Sequence, residues 1–254
     1  MHSYNHLRSG AACGAILLLA TGAAQPAPAV QAGNLDNQDH AGRRPEPQTA
    51  MRDDAAIRIT KQARDRVDPL QQDAWRAYRN GRFDEAGRLY QALLKRDARH
   101  VDALLGLAAI ALQQGDGPAA ARHYARVLEL DPRNASANAG LAMLQPDDEA
   151  AISRIKMLLR EQDDAAILHF ALGNLYAAQQ RWSEARQAYA SARLLEPGNA
   201  GFAFNLAVSL DHLEQDQAAL RHYRAALQLD PEQHASLDHA QIEQRIADLG
   251  GQTP

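Results

Sequence analysis

The chain has 254 residues, of which 46% are hydrophobic and only 5% aromatic, with a formal charge of −4. That length suits one large domain or a repeat array with tails, and the Ala- and Leu-rich composition favours close-packed helices over sheets. The charge balance gives no reason to expect nucleic acid, whose binders present a basic face, and no polybasic run supports a membrane-surface role.

Residues 1–32 have the layout of a secretory signal peptide. Arg8 and the amino terminus give a positive start, and Ala11 to Ala24 forms an apolar run. Small-x-small cleavage choices follow at Gly22-Ala23-Ala24, Ala27-Pro28-Ala29 and Val30-Gln31-Ala32. A bilayer span takes about 20 apolar residues, so the run predicts a cleaved signal, with an uncleaved anchor as the alternative. The remaining chain is then expected in the periplasm, free or held at the inner membrane. Cys13 is the only cysteine, so no intramolecular disulfide can form. It precedes the apolar residues that should lie ahead of a lipoprotein cysteine, and is badly placed for lipid attachment. Residues 33–66 are rich in Asp, Asn, Gln, Pro and Arg and bury too little apolar surface to offset their ordering entropy. They read as a disordered, flexible linker.

From Val67 the sequence repeats. A first unit, 67–100, carries Trp75, Gly81, Phe83, Ala86, Tyr90 and Leu94, and its irregular opening helix makes Trp75 and Tyr78 candidates for an exposed N-terminal face. A second, 101–134, carries Leu104, Leu107, Ala108, Gly115, Ala120, Tyr124 and Pro132. The third, 135–165, is three residues shorter, and Gln145-Pro146-Asp147 should make its turn, because proline cannot continue the helical hydrogen-bond ladder. The fourth, 166–199, has Leu172, Gly173, Tyr176, Ala185, Tyr189, Ala192 and Pro197. The fifth, 200–233, has Leu206, Ala207, Ala219, Tyr223, Ala226 and Pro231. Residues 236–249 then space Leu237, Ala240, Ile242, Ile246 and Leu249 as a capping helix, before a short tail over 250–254.

The fourth unit keeps the order Trp-x2-Leu-Gly-x2-Tyr, Ala-x3-Phe, Pro, with His169 for the Trp and Tyr189 for the Phe. It resembles a tetratricopeptide repeat. The resemblance implies an all-α solenoid of about five helical hairpins plus a C-terminal capping helix over 67–249, in which no unit buries its own face and stability is a sum over neighbours. It also implies that Tyr90, Tyr124, Tyr189 and Tyr223 fill the gap toward the following repeat.

No catalytic signature appears: no phosphate loop, Cys cluster, G-x-S-x-G or H-E-x-x-H. No cofactor is predicted. His123 and His222 hold equivalent positions in different repeats and cannot share a metal ion. His234 and His239 near the cap lack a third ligand, so no metal site is predicted either.

The family's peptide-holding members draw groove residues from the second, fifth, sixth, ninth, twelfth and thirteenth positions of the first helices. Carried over, this implies a groove of Ile167, Phe170, Asn174, Ala178, Phe204, Asn205, Asp211 and His212. Asn174 and Asn205 match the asparagines of the family's carboxylate clamps. An amide can donate to and accept from an extended chain at once, without reading its sequence. Clamp members carry Lys at the position of Phe170, and Lys and Arg at those of Ala235 and His239. An apolar or internal segment is therefore the expected ligand. The alternative has the phenylalanines as packing between repeats and the asparagines as caps or solvated groove residues.

The layout of signal, linker and repeats is similar to that of envelope assembly proteins of type IV pilus and type II secretion systems. The resemblance implies a non-enzymatic protein-interaction scaffold with cell-envelope protein partners. Two other roles are similar in layout: a cytochrome c maturation accessory that holds apocytochrome tails, and a regulatory subunit of an envelope glycan enzyme complex.

Overall fold

The computed structural model describes residues 68–146, 148–231 and 237–250. The expected signal, the linker, His234 and Ala235 lie outside them. Among the described residues there are eleven helices and no strand. They pair in sequence: α1 (Pro69–Arg79) with α2 (Phe83–Arg96), α3 (Val101–Gln113) with α4 (Gly117–Leu130), and α5 (Ala135–Leu144) with α6 (Glu149–Leu159). Then come α7 (Ala166–Ala178) with α8 (Trp182–Leu195) and α9 (Ala200–His212) with α10 (Asp216–Leu229). A single helix, α11 (His239–Gly250), packs on α10 at the C-terminal end.

Local chemistry sets these boundaries. Asp68, His100, Asn134 and Asn199 cap α1, α3, α5 and α9 by accepting from backbone N–H groups of the first turn, which have no partner within the helix. Pro132, Pro197 and Pro231 each follow the end of a second helix by two residues, where no further helical N–H is required. Inside the hairpins the turn needs one left-handed residue. Gly81 and Gly115 supply it in the first two pairs, with φ of 70° and 75°. Gln180 and Glu214 occupy the same place in the last two pairs, at 59° and 57°.

First and second helices divide the burial unequally. Helices α3, α7 and α9 are enclosed on most sides, and nine of thirteen residues of α7 are buried. The second helices bury a narrower stripe built on Ala86, Ala120, Ala151, Ala185 and Ala219, whose small side chains let the helices approach closely. The core falls into two clusters that meet in the short α5: Ala137 belongs to the first two repeats and Ala139 to the rest. Met143 and Ile167 pack against both.

Two of the four tyrosines differ from expectation in direction. Tyr90 and Tyr124 lie against Gly106 and Gly140 of the following repeat, where an added Cβ would come within 2.4 and 2.3 Å of the ring. Tyr189 instead lies on Gly173 of its own hairpin, and Tyr223 donates to Asp211 of its own hairpin. The following repeat gives Tyr124 a glycine to face, whereas the residue at the matching point after Tyr189 is Asn205. A second correction concerns the N-terminal face. Tyr78 is buried, stacked on Trp75 at 5.8 Å and tilted against Phe83, while Trp75 and Phe83 are half-buried.

Candidate functional site

The eight groove candidates sit on α7 and α9, and most are engaged inside the protein. Phe170 is buried, with ring centroids 4.8 Å from Phe202 and 5.7 Å from Tyr189. Phe204 is buried against Tyr223 at 6.0 Å. Both phenylalanines are inter-helix packing. Asn205 is buried, and its amide donates to the Gly201 carbonyl one turn back, 2.9 Å away. Ile167 is half-buried at the seam between the two core clusters.

Asp211 is the largest departure from a ligand-facing role. Its carboxylate accepts from both Nε (2.7 Å) and Nη2 of Arg245 on α11, and from the Tyr223 hydroxyl at 3.1 Å. The pair is almost wholly buried, with side-chain exposures of 6% and 7%. A carboxylate held by a guanidinium fork and a phenol has no face left for a partner, and it pins the terminal helix to the last repeat. His212 is half-buried at the end of α9, stacked face to face on Trp182 at 3.6 Å with 4° between planes.

Besides half-buried Ile167 and His212, two further candidates keep access to solvent. Ala178, at the last position of α7, is exposed. Asn174 is half-buried, accepts from the Tyr189 hydroxyl at 2.7 Å and donates to the Met143 sulfur at 3.0 Å. Burial pushes the Tyr189 phenol far up from its ordinary value, so it stays a donor, and Asn174 Oδ1 stays committed as its acceptor. An amide has two N–H donors and two lone pairs, so these bonds leave one of each on Asn174 uncommitted. Asn174 and Asn205, paired by position, therefore differ: the first retains hydrogen-bonding capacity and the second is spent within its helix.

The repeated hairpins and their alternating large and small contacts correspond to a known family. The family model described as "Tetratricopeptide repeat" matches residues 72–135, 110–145, 147–194 and 170–234, more than half of the chain. The chain belongs to the tetratricopeptide-repeat family. Among solved structures, it is similar to a thermophilic tetratricopeptide-repeat protein of Thermus thermophilus, with 23% identity over 71% of this chain and 96% of that one, TM-score 0.58. It is also similar to a tetratricopeptide-repeat protein of Parabacteroides merdae, with 16% identity over 71% of this chain and 70% of that one, TM-score 0.59. At these identities the likeness is one of fold. No curated protein sequence matches this chain.

As a tetratricopeptide solenoid the chain is a protein–protein interaction scaffold, and members of this family are generally non-enzymatic. Among the described residues no group of three or more His, Cys, Asp or Glu side chains is placed so that it could hold a metal ion, and no helix is long and apolar enough to cross a membrane. His239, one of the cap histidines, is paired with Asp230 at 3.1 Å.

What the sequence reading missed lies on the other side of α9. Arg186 on α8 and His222 on α10 flank a cleft floored by Leu206 and Leu210, and Arg193 stands near enough to act on the His222 charge. The signal was present as two arginines seven apart on one helix stripe, but in sequence they look like any solvated arginines.

Proposed function

We propose that this chain is a non-catalytic scaffold of the bacterial cell envelope, exported by its N-terminal signal, that docks an extended segment of an envelope assembly protein along the α7 face. The observation that carries the docking site is Asn174, which sits at the seam of the two core clusters with hydrogen-bonding capacity left over, beside exposed Ala178 and half-buried Ile167. An amide there can bond the backbone of an extended peptide, which gives affinity with little dependence on side chains. Phe170, Phe204, Asn205, Asp211 and His212 then act by holding α7 and α9 in place. Assembly of a pilus or type II secretion-like machine is the role this supports best. It needs a passive, multi-contact surface, and the carboxylate-clamp cations expected of a tail-capturing accessory are missing at Phe170 and His239.

The test is photo-crosslinking in cells from p-benzoylphenylalanine at position 178, with and without Asn174→Ala. A pilus or secretion component captured from 178 and lost with the Asn174→Ala change is expected. Equal capture with both would remove Asn174 from the site. Fractionation, with N-terminal sequencing of the mature chain, checks export: a product starting after residue 24, 29 or 32 is expected. A cytoplasmic, full-length product would refute it.

A further inference from the structure

The cleft between α8 and α10 is separate from the α7 face. It has a volume of about 590 Å³, a floor of Leu206 and Leu210, and walls that include Ala190 and Ala218. Arg186 and His222 stand on its rim, and Arg193 lies one stripe position beyond Ala190 on α8, close enough to act on the His222 charge. That volume is within the range of ordinary ligand pockets, and an apolar floor with a few polar groups above it is their usual composition.

Two observations give the cleft a sign. The Nε of Arg186 and the Nε and Nη1 of Arg193 are buried and meet no acceptor among the described residues. Buried guanidinium N–H groups without acceptors are costly, and such groups call for an explanation of their own. Second, past their first turns α8 and α10 carry Arg186, Arg193, Arg221, Arg224 and His222 and not one carboxylate. Glu184 and Asp216 sit at the helix starts, and Glu184 is already held by Arg181. This cationic strip stands out on a chain whose formal charge is −4.

We propose that the α8–α10 cleft is a second docking site, which takes an acidic segment of a protein partner bearing a Leu-sized apolar side chain next to its carboxylates. The apolar side chain enters over Leu206 and Leu210, and carboxylates on either side accept from Arg186 and Arg193. Seven helical residues place the two arginines about 10 Å apart along the axis. Carboxylates three residues apart on a segment in polyproline II conformation, with three residues per turn and about 3.1 Å per residue, lie on one edge at about the same distance. Guanidinium forks match carboxylates two bonds at a time, so the pair sets register as well as sign.

The probe is a phage-displayed random dodecapeptide library, selected on the full chain. Selected sequences are then measured by fluorescence anisotropy against wild type, R186Q/R193Q, R186K/R193K and N174A. We expect peptides with Asp or Glu flanking Leu, Ile or Phe, bound about tenfold more weakly by R186Q/R193Q. The lysine variant, which keeps the charge and is the milder change if the glutamines unfold the helix pair, is expected to lose part of that affinity. Binding should fall with added salt and be unchanged in N174A. Peptides without acidic residues, no enrichment, or less than a twofold effect of R186Q/R193Q on a folded chain would each overturn the proposal. So would equal, arginine-dependent binding to phosphatidylglycerol vesicles, which would mean an anionic surface and not a peptide. Loss in N174A alone would overturn it too, by assigning the selected peptides to the α7 face.

Discussion

Replacing Arg245 with Met should detach the terminal helix. Arg245 supplies two of the three hydrogen bonds that the Asp211 carboxylate receives, and both side chains are over nine-tenths removed from solvent. Methionine keeps most of the stem packing, so the loss is mainly electrostatic: a buried carboxylate left with only the Tyr223 hydroxyl. Breaking a buried pair from one side costs about 3–5 kcal/mol. With a urea m-value of about 2 kcal/mol/M, the midpoint for the last repeat should fall by about 2 M. Stability in a solenoid is a sum over neighbours, so the effect should concentrate at the C-terminal end. Hydrogen exchange should accelerate in α10 and α11 and much less in α3 and α4. The double variant D211L/R245M removes both charges and should recover to within about 1 kcal/mol of wild type or exceed it, because matched apolar residues replace a buried pair at little cost. A midpoint shift below about 0.5 M for R245M, or a double variant as unstable as the single one, would refute the reasoning.

Four other outcomes follow from the structure. Gly173→Ala puts a Cβ 2.5 Å from the ring of Tyr189, which is buried and anchored on Asn174, so denaturant unfolding should show a loss of about 1–3 kcal/mol. Gly87→Ala, whose Cβ meets only Ile110 at 3.9 Å, should gain up to about 1 kcal/mol from helix propensity in the same assay. Gln180→Gly relieves a left-handed turn residue and should stabilise by about 1 kcal/mol, with Glu214→Gly adding a similar amount independently. Burial, and then neighbouring arginines, hold His123 and His222 below the ordinary value of 6.5. As pH falls through 6.5 the unfolded chain takes up protons that the folded chain refuses. Stability is therefore full above that ordinary value and declines toward the lowered folded values. The fall in melting temperature between about pH 7.5 and 5.5 should be smaller in H123Q/H222Q than in wild type, and an unchanged fall would show that these rings do not contribute.

The hairpin array was legible because its signals are local. Small residues at Ala86, Ala120, Ala185 and Ala219, and prolines at 132, 197 and 231, recur with the period of the unit they build. Each reports a requirement that the residue meets within its own hairpin or at its end. The groove was read less well for the same reason. Repeat position tells where on a helix Phe170 or Asn205 stands, but not how deep the neighbouring helix covers it. Asn174 and Asn205 look alike in sequence and diverge only because one faces Tyr189 and Met143 while the other turns back to Gly201.

The sequence alone determined an all-helical repeat chain, with a terminal helix to close it and no catalytic motif. Helical periodicity, capping and proline placement act over a few residues and need no partner to be read. Tertiary structure decided which polar groups are spent and which are left. Asp211 meets Arg245 from 34 positions away, and Arg186 and His222 come to one cleft from different repeats. Such pairings depend on how each hairpin rotates against the next. Whether a tyrosine finds a glycine in the following repeat, as Tyr124 does, or in its own, as Tyr189 does, is decided at the same level.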